Sequence, residues 1–307
     1  HCSRAVMAGK MDRHDYAFKT TFAEMGPCVS GGGFDWAVGN LLDAYKAISN
    51  IVQGNEIVEI SQGSGTQLSH LSDGSISAVV VDPPYDDNVQ YSELADFFYV
   101  WLKRSLGKYH RPEWFSTYLC DHSEEAVVNH VRHLDGSRKP KEAKEEARKF
   151  YRKLMTESFL EAKRVLRDDG VLTVMFTHKK QEAWGALFAS LIEAGFTITA
   201  TWPIKTESEH SLHQAKKNAA QSTVFLVARK RETGAGRGFY DAAMRKEIEL
   251  AARNAAERLE NDGLNAVDQL VGSFGPAMEV FSRYDTVVTD TGQPVDVADV
   301  DAKDGQQ

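Results

Sequence analysis

Ile76-Ser77-Ala78-Val79-Val80-Val81-Asp82-Pro83-Pro84-Tyr85 is the stretch on which the fold turns. Its first six residues have the length and β-branched character of a strand buried in a parallel sheet. The two prolines that follow fix φ and remove two backbone donors, so the strand stops and a stiff loop begins. Open α/β sheets place their ligands at the carboxyl ends of such strands. Asp82 and Tyr85 therefore stand where chemistry is expected. On these four residues alone, a plain strand-ending proline turn is an open alternative.

The surroundings extend the pattern. Leu94, Phe97, Phe98, Trp101 and Leu102 step by three and four and predict a helix that stops near Gly107. Tyr151, Met155, Phe159, Ala162 and Leu166 predict a helix over 141–167, ended by a turn at Asp168-Asp169-Gly170. Val171–Phe176 reads as a strand, and Trp184, Leu187, Phe188, Leu191 and Ile192 as a helix closed by Gly195. Phe196, Ile198, Ala200 and Trp202 alternate with threonines, which is a strand pattern. Ser222–Ala228 is the next strand, and Asn55–Ile60 a short earlier one. A charged helix is expected over 240–260, and an Asp-rich tail over 285–307.

The string from Asp82 to Arg104, DPPYDDNVQYSELADFFYVWLKR, resembles one group of large DNA adenine methylases that often carry a zinc ribbon. Arg164-Val165-Leu166, Phe176-Thr177-His178-Lys179 and Thr201-Trp202-Pro203-Ile204 look like the same family. The resemblance spans most of 10–300 and is densest from 76 to 231. Asp-Pro-Pro-Tyr is similar to the motif of S-adenosylmethionine-dependent amino-methyltransferases. The resemblance implies a Rossmann-like α/β fold of the class I methyltransferase type. That fold is a three-layer sandwich, with a mostly parallel sheet and an antiparallel closing strand, here with the N-terminal side incomplete as one expectation. It also implies methyl transfer from S-adenosylmethionine to adenine N6, with DNA as partner, in a restriction-modification setting; no signal peptide is visible, so a cytoplasmic protein is expected.

The residues suit that chemistry. An exocyclic amino nitrogen is a poor nucleophile because its lone pair is delocalised into the ring. Acceptors that draw both hydrogens out of plane localise that lone pair. Asp82 supplies a carboxylate oxygen and Pro83 a carbonyl. Pro84 stiffens the loop, and Tyr85 offers a ring face to a base lifted from its stack. The acceptors need mainly to be preorganised.

The cofactor side is less complete. Methyltransferases of this type carry a glycine-rich turn after a first strand, and none precedes Asp82. Gly31-Gly32-Gly33 follows no strand-like run, and Gly234-Ala235-Gly236-Arg237-Gly238 reads more readily as a linker than as a permuted cofactor loop. Gly63 and Ser64 occupy the place where related enzymes set a loop beside the cofactor adenine. Together with Asp82 they are the candidate cofactor residues, with a plain loop as the alternative. The chain opens on His1. The expectation is that an N-terminal half or a partner chain completes the cofactor site.

Composition sets limits. The 307 residues carry 44 acidic and 36 basic side chains, a net charge of −8, so the chain is no general nucleic-acid wrapper. Local basic runs exist: 138–153 holds eight basic and three acidic residues. Such a run either meets phosphates or is a solvated helix face. Lys205, Lys216 and Lys217, in or beside the loop 203–221, are the better candidates for nucleic acid, together with Tyr85. No apolar run approaches a membrane span. Cys2, Cys28 and Cys120 make neither a disulfide framework nor a zinc site, and no metal is expected.

The domain reading is a segment 1–50 packing on the sheet, a catalytic region 51–232, a helical extension 233–284 and a tail 285–307. Alternatives stand beside the adenine reading. They are a cytosine-N4, RNA or protein-glutamine amino group as acceptor, or a non-catalytic binding module with a degenerate cofactor site.

Overall fold

The β-branched run does form a strand, β1 (Ile76–Val81). A computed structural model of the chain describes residues 28, 33–51, 58–61, 63–110, 112–134, 139–178, 180–205, 222–295 and 297. The chain divides into two compact units, His1–Gln62 and Gly63–Gln307. In the first, Phe34–Ile51 is a helix, α1, that buries none of its side chains. Gly31, Gly32 and the start of the expected strand at 55–60 lie outside the described residues, and Val58–Ile60 is not in a strand.

In the second unit β1 is followed by α2 (Tyr91–Ser105), α3 (Pro140–Val165), β2 (Leu166–Phe176) and α4 (Gln181–Glu193). Then come β3 (Phe196–Lys205), β4 (Ser222–Lys230), β5 (Arg237–Phe239), α5 (Ala242–Asn261), α6 (Ala266–Ser282) and β6 (Thr286–Val288). The main sheet has the order β1-β2-β4-β3. β1 and β2 pair in parallel, while β4 runs antiparallel to both β2 and β3. Three strands thus point one way and β4 is inserted against them. The sheet is mixed, and the expected mostly parallel pairing is corrected: only β1 with β2 is a parallel pair.

Two other expectations are also corrected. Asp168-Asp169-Gly170 is not a turn between helix and strand. α3 passes directly into β2, and the extra residues are absorbed as an irregularity, since Ile76 pairs Leu166 while Ala78 pairs Val171. The segment 285–307 is not a tail throughout. β6 pairs with β5, and Val287, Val288 and Val297 are buried.

Alternation along the strands decides where the core sits. Leu172, Val174 and Phe176 of β2 and Leu226 of β4 share one face and are fully buried. The α3 stripe Tyr151, Met155 and Phe159 and the α4 residues Trp184, Leu187 and Phe188 belong to the same cluster. Phe176 meets Trp184 edge-on with ring centroids 4.9 Å apart, and Trp184 also meets Phe274 of α6 at 5.9 Å. Such aromatic pairs add to plain area burial. The opposite face carries Val80 and Trp202, which are 73% and 62% exposed.

α6 approaches β3 so closely that only glycine fits at one position. A Cβ on Gly275 would lie 1.8 Å from Thr201 Oγ1 and 2.8 Å from Thr201 Cβ. Gly275→Ala is expected to cost about 1–3 kcal/mol, as overpacking does, read from the urea midpoint. Thr201→Ala in the same chain should restore part of the loss. An unchanged midpoint in the single variant would mean that α6 does not press on β3.

Candidate active site

β1 delivers Asp82-Pro83-Pro84-Tyr85 to its carboxyl end, beside the end of β2 at Phe176. Tyr85 does not stand free there. Its ring packs edge-on against Phe176 at 5.1 Å and 71°, and its hydroxyl donates to Asp82 Oδ1 at 2.5 Å. Burial, and then the bond to the Asp82 carboxylate, push the phenol well above its ordinary pKa, so it stays a donor. Asp82 itself is exposed and keeps its second oxygen for another partner.

The loop then turns sharply. Asp86 adopts φ of +50°, a left-handed conformation that aspartate tolerates better than most residues. Asn88 N–H donates to the Tyr85 carbonyl at 2.9 Å, and Val128 N–H to the Asp86 carbonyl at 3.0 Å. The next side chain is clamped from β2's end. Asp87 accepts from Lys180 Nζ and lies 3.5 Å from His178 Nε2. Burial opposes ionisation of Asp87, but the Lys180 ammonium outweighs it and holds the carboxyl below its usual range. Asp86 is raised instead, by burial and then by the charge of Asp87.

Asp86, Asp87 and His178 sit close enough to suggest a cation site. Their bonding speaks for a different role. His178 Nδ1 accepts the Lys180 N–H at 3.0 Å, so the ring proton resides on Nε2, facing Asp87. The Lys180 ammonium already supplies the positive charge at Asp87. The cluster is a hydrogen-bonded clamp between the two strand-end loops.

A cavity of about 480 Å³ opens beside the proline loop. Val79, Val81, Met155 and Phe159 give it apolar walls, and Asp82, Glu124 and Glu125 give its rim carboxylates. Ser64, Gly65 and Thr66 form a further wall, whereas Gly63 does not line it. Ser64 and Asp82 are thus brought to one cavity, as the sequence suggested. The Ser64 hydroxyl is engaged locally, 2.8 Å from Thr66 Oγ1, in a small turn.

This wall is fixed from α3. Glu161 accepts Leu68 N–H at 2.8 Å, and Arg164 donates to the carbonyls of Leu68 and Leu71 and to Asp73. On the other side Glu125 accepts from both the backbone and the hydroxyl of Ser92, at the start of α2, and from Arg132 at 2.7 Å. His122 bridges Ser92 and Asp96, at 2.9 and 3.2 Å, and Asp96 also accepts the Cys120 N–H at 2.8 Å.

The remaining candidates separate by sheet end. β3 ends at Lys205 opposite Ser222, at the same end as Phe176 and hence as Asp82. Lys216 and Lys217 lie outside the described residues. Gly234–Gly238 follows the far end of β4, where Ala228 pairs Leu172, so it belongs to the opposite end of the sheet from Asp82. There Gly234 and Gly236 take φ of +79°, and a Cβ on Gly238 would strike the Tyr284 ring at 2.8 Å. These glycines serve the β5–β6 corner. A larger groove of about 840 Å³ between β3 and α5–α6 is lined in part by Arg283, which is paired with Glu247 and Glu279.

Sequence reasoning did not single out Glu161, Lys180 or Thr66. Arg164 and His178 entered only as parts of quoted strings. No periodicity marks Glu161 or Lys180, because Leu68 and Asp87 each lie 93 positions away. A scan against protein-family models and a search of curated proteins both return no match for this chain.

The Glu161 contact carries a pH dependence. The bond from Arg164, and then that from Leu68 N–H, push its carboxyl down to about 2. A carboxyl depressed on folding stabilises fully above its ordinary value of 4.5 and loses that effect as pH falls toward about 2. Glu161→Gln should therefore lower the urea midpoint at pH 6 and flatten its fall between pH 4.5 and 2. Parallel curves for the two proteins would show that Glu161 does not hold the 64–73 wall.

Proposed function

We propose that the chain is the catalytic region of a Rossmann-like amino-methyltransferase that uses S-adenosylmethionine and acts on adenine N6 in DNA. The observation that carries this reading is Asp82-Pro83-Pro84-Tyr85 at the tip of a strand in a parallel pair, opening on a cavity rimmed by carboxylates. Insertion of one antiparallel strand among three that share a direction agrees with the closing part of a methyltransferase sheet.

The cavity suits the cofactor's chemistry. Its apolar walls fit a nucleoside, and Asp82 and Glu124 favour a cation and disfavour phosphate, while Glu125 is already paired with Arg132. Ser64, Gly65 and Asp82 are the residues that would hold it. When bound, S-adenosylmethionine supplies an electrophilic methyl group. The chain's own task is to prepare the acceptor. The free oxygen of Asp82 and the Pro83 carbonyl take the two amino hydrogens and localise the nitrogen lone pair. Tyr85 keeps the Asp82 carboxylate from rotating, which is a further role beside the stacking expected from sequence. No strong base is needed, since the methylated amine is itself acidic. Lys205, Lys216 and Lys217 remain candidates for phosphate contact through the loop that leaves and re-enters this end of the sheet.

Among the described residues no glycine-rich turn stands at this end of the sheet. β1 is an edge strand whose Val80 is 73% exposed. Both features favour completion of the cofactor site by an N-terminal half or a partner chain pairing on β1. A cytosine, RNA or glutamine acceptor poses the same chemical problem to Asp82 and Pro83.

The test combines calorimetric titration with S-adenosylmethionine and transfer of labelled methyl groups to duplexes with and without adenine. Label confined to adenine-containing DNA supports the reading, and label in adenine-free DNA moves it to cytosine. Absence of both binding and transfer, in this chain and in any longer parent, would leave the non-catalytic module. Asp82→Ala is expected to reduce transfer at least about 100-fold with an unchanged unfolding midpoint. Equal loss of transfer and stability would deny Asp82 its role.

A further inference from the structure

Pro83 and Pro84 offer no N–H groups, so these two residues can be held only through their carbonyls and rings. One hydroxyl reaches them from below. Tyr151, in the middle of α3, is fully buried among core residues and donates from Oη to the Pro84 carbonyl at 2.8 Å. That carbonyl belongs to the same planar peptide as the Tyr85 nitrogen. Its direction therefore sets where Tyr85 leaves the chain. Tyr85 in turn packs on Phe176 and donates to Asp82 Oδ1. The Asp86 N–H reaches the Pro84 carbonyl only at 3.3 Å, so the Tyr151 bond is the shorter of the two restraints.

We propose that Tyr151 is a positioning residue of the reaction. By fixing the Pro84–Tyr85 peptide it keeps the Tyr85 hydroxyl on one oxygen of Asp82 and leaves the other free for the amino group of the acceptor. The inference rests on the amino-methyltransferase reading for its catalytic consequence, but not for its structural one. Burial raises the Tyr151 phenol above its ordinary pKa, so it remains a donor. Tyr151 does not line the cavity, so it acts through Tyr85 and Asp82, not on the substrate.

Tyr151→Phe keeps the ring in the core and removes only the O–H. Amide exchange at Asp86 and Asn88 should become at least about fivefold faster, a readout independent of activity. The turnover of methyl transfer should fall about 10- to 100-fold, as small misplacements do, with the dissociation constant for S-adenosylmethionine unchanged. Tyr85→Phe should show a comparable loss, and the double variant no more than the larger single loss, since the two act in series. Unchanged exchange in Tyr151→Phe, or losses that multiply in the double variant, would overturn the proposal. If the wild-type chain transfers no methyl group, the catalytic reading falls and the exchange experiment still decides whether Tyr151 fixes the loop. Should Tyr151→Phe fail to fold, Tyr85→Phe alone must leave exchange at Asp86 unchanged while lowering turnover, and faster exchange there would overturn the order of the series.

Discussion

The junction at Leu166 governs the second unit. α3 ends and β2 begins there with no loop between them, so the helix axis and the strand register are locked together. The junction tolerates no bulk: a Cβ on Gly170 would lie 2.7 Å from Leu166 Cδ1. Gly74 N–H is bonded to the Arg164 carbonyl at 3.0 Å, which ties the approach to β1 to the same point. From this fixed end α3 runs back beneath the cavity. Glu161 and Arg164 hold the 64–73 wall near the junction, Met155 and Phe159 line the cavity, and Tyr151 meets Pro84 farther along. One helix thus sets the floor, one wall and the loop of the candidate site.

Much of this was legible in the sequence because the signals are local. The β-branched run of β1, the three-and-four spacing of α3 and α4, and the alternation of β3 each depend on neighbours within a few positions. The same reasoning failed where distant partners decide. Asp168-Asp169-Gly170 has turn composition, yet it lies within β2 as an irregularity between the Leu166 and Val171 pairings with β1. Thr286–Val288 sits in an Asp-rich stretch, yet Gly238 offers it a smooth partner and it becomes β6. Lys180 carries no local signal, yet it is committed to Asp87. Much of the basic run in α3 is likewise spoken for, with Arg152 on Glu193 and Lys149 on Glu146.

The site is legible to a similar degree. Asp82 and Ser64 share a cavity. Tyr85 has turned toward Asp82, and that contact could not be read from spacing. The proline loop is held from three directions: Tyr151 below, Val128 behind and the His178–Lys180 clamp beside it. Its stiffness therefore comes as much from its surroundings as from its two prolines.

The parallel pairing of β1 with β2 also has a kinetic side. It joins Ile76 to Leu166, ninety positions apart, whereas Lys205 of β3 and Ser222 of β4 pair across seventeen. Loop-closure entropy makes the first contact slow and the second fast. That difference favours early pairing of β3 with β4 and late pairing of β1, an order in which the strand tip that presents Asp82 is set down on a sheet already formed.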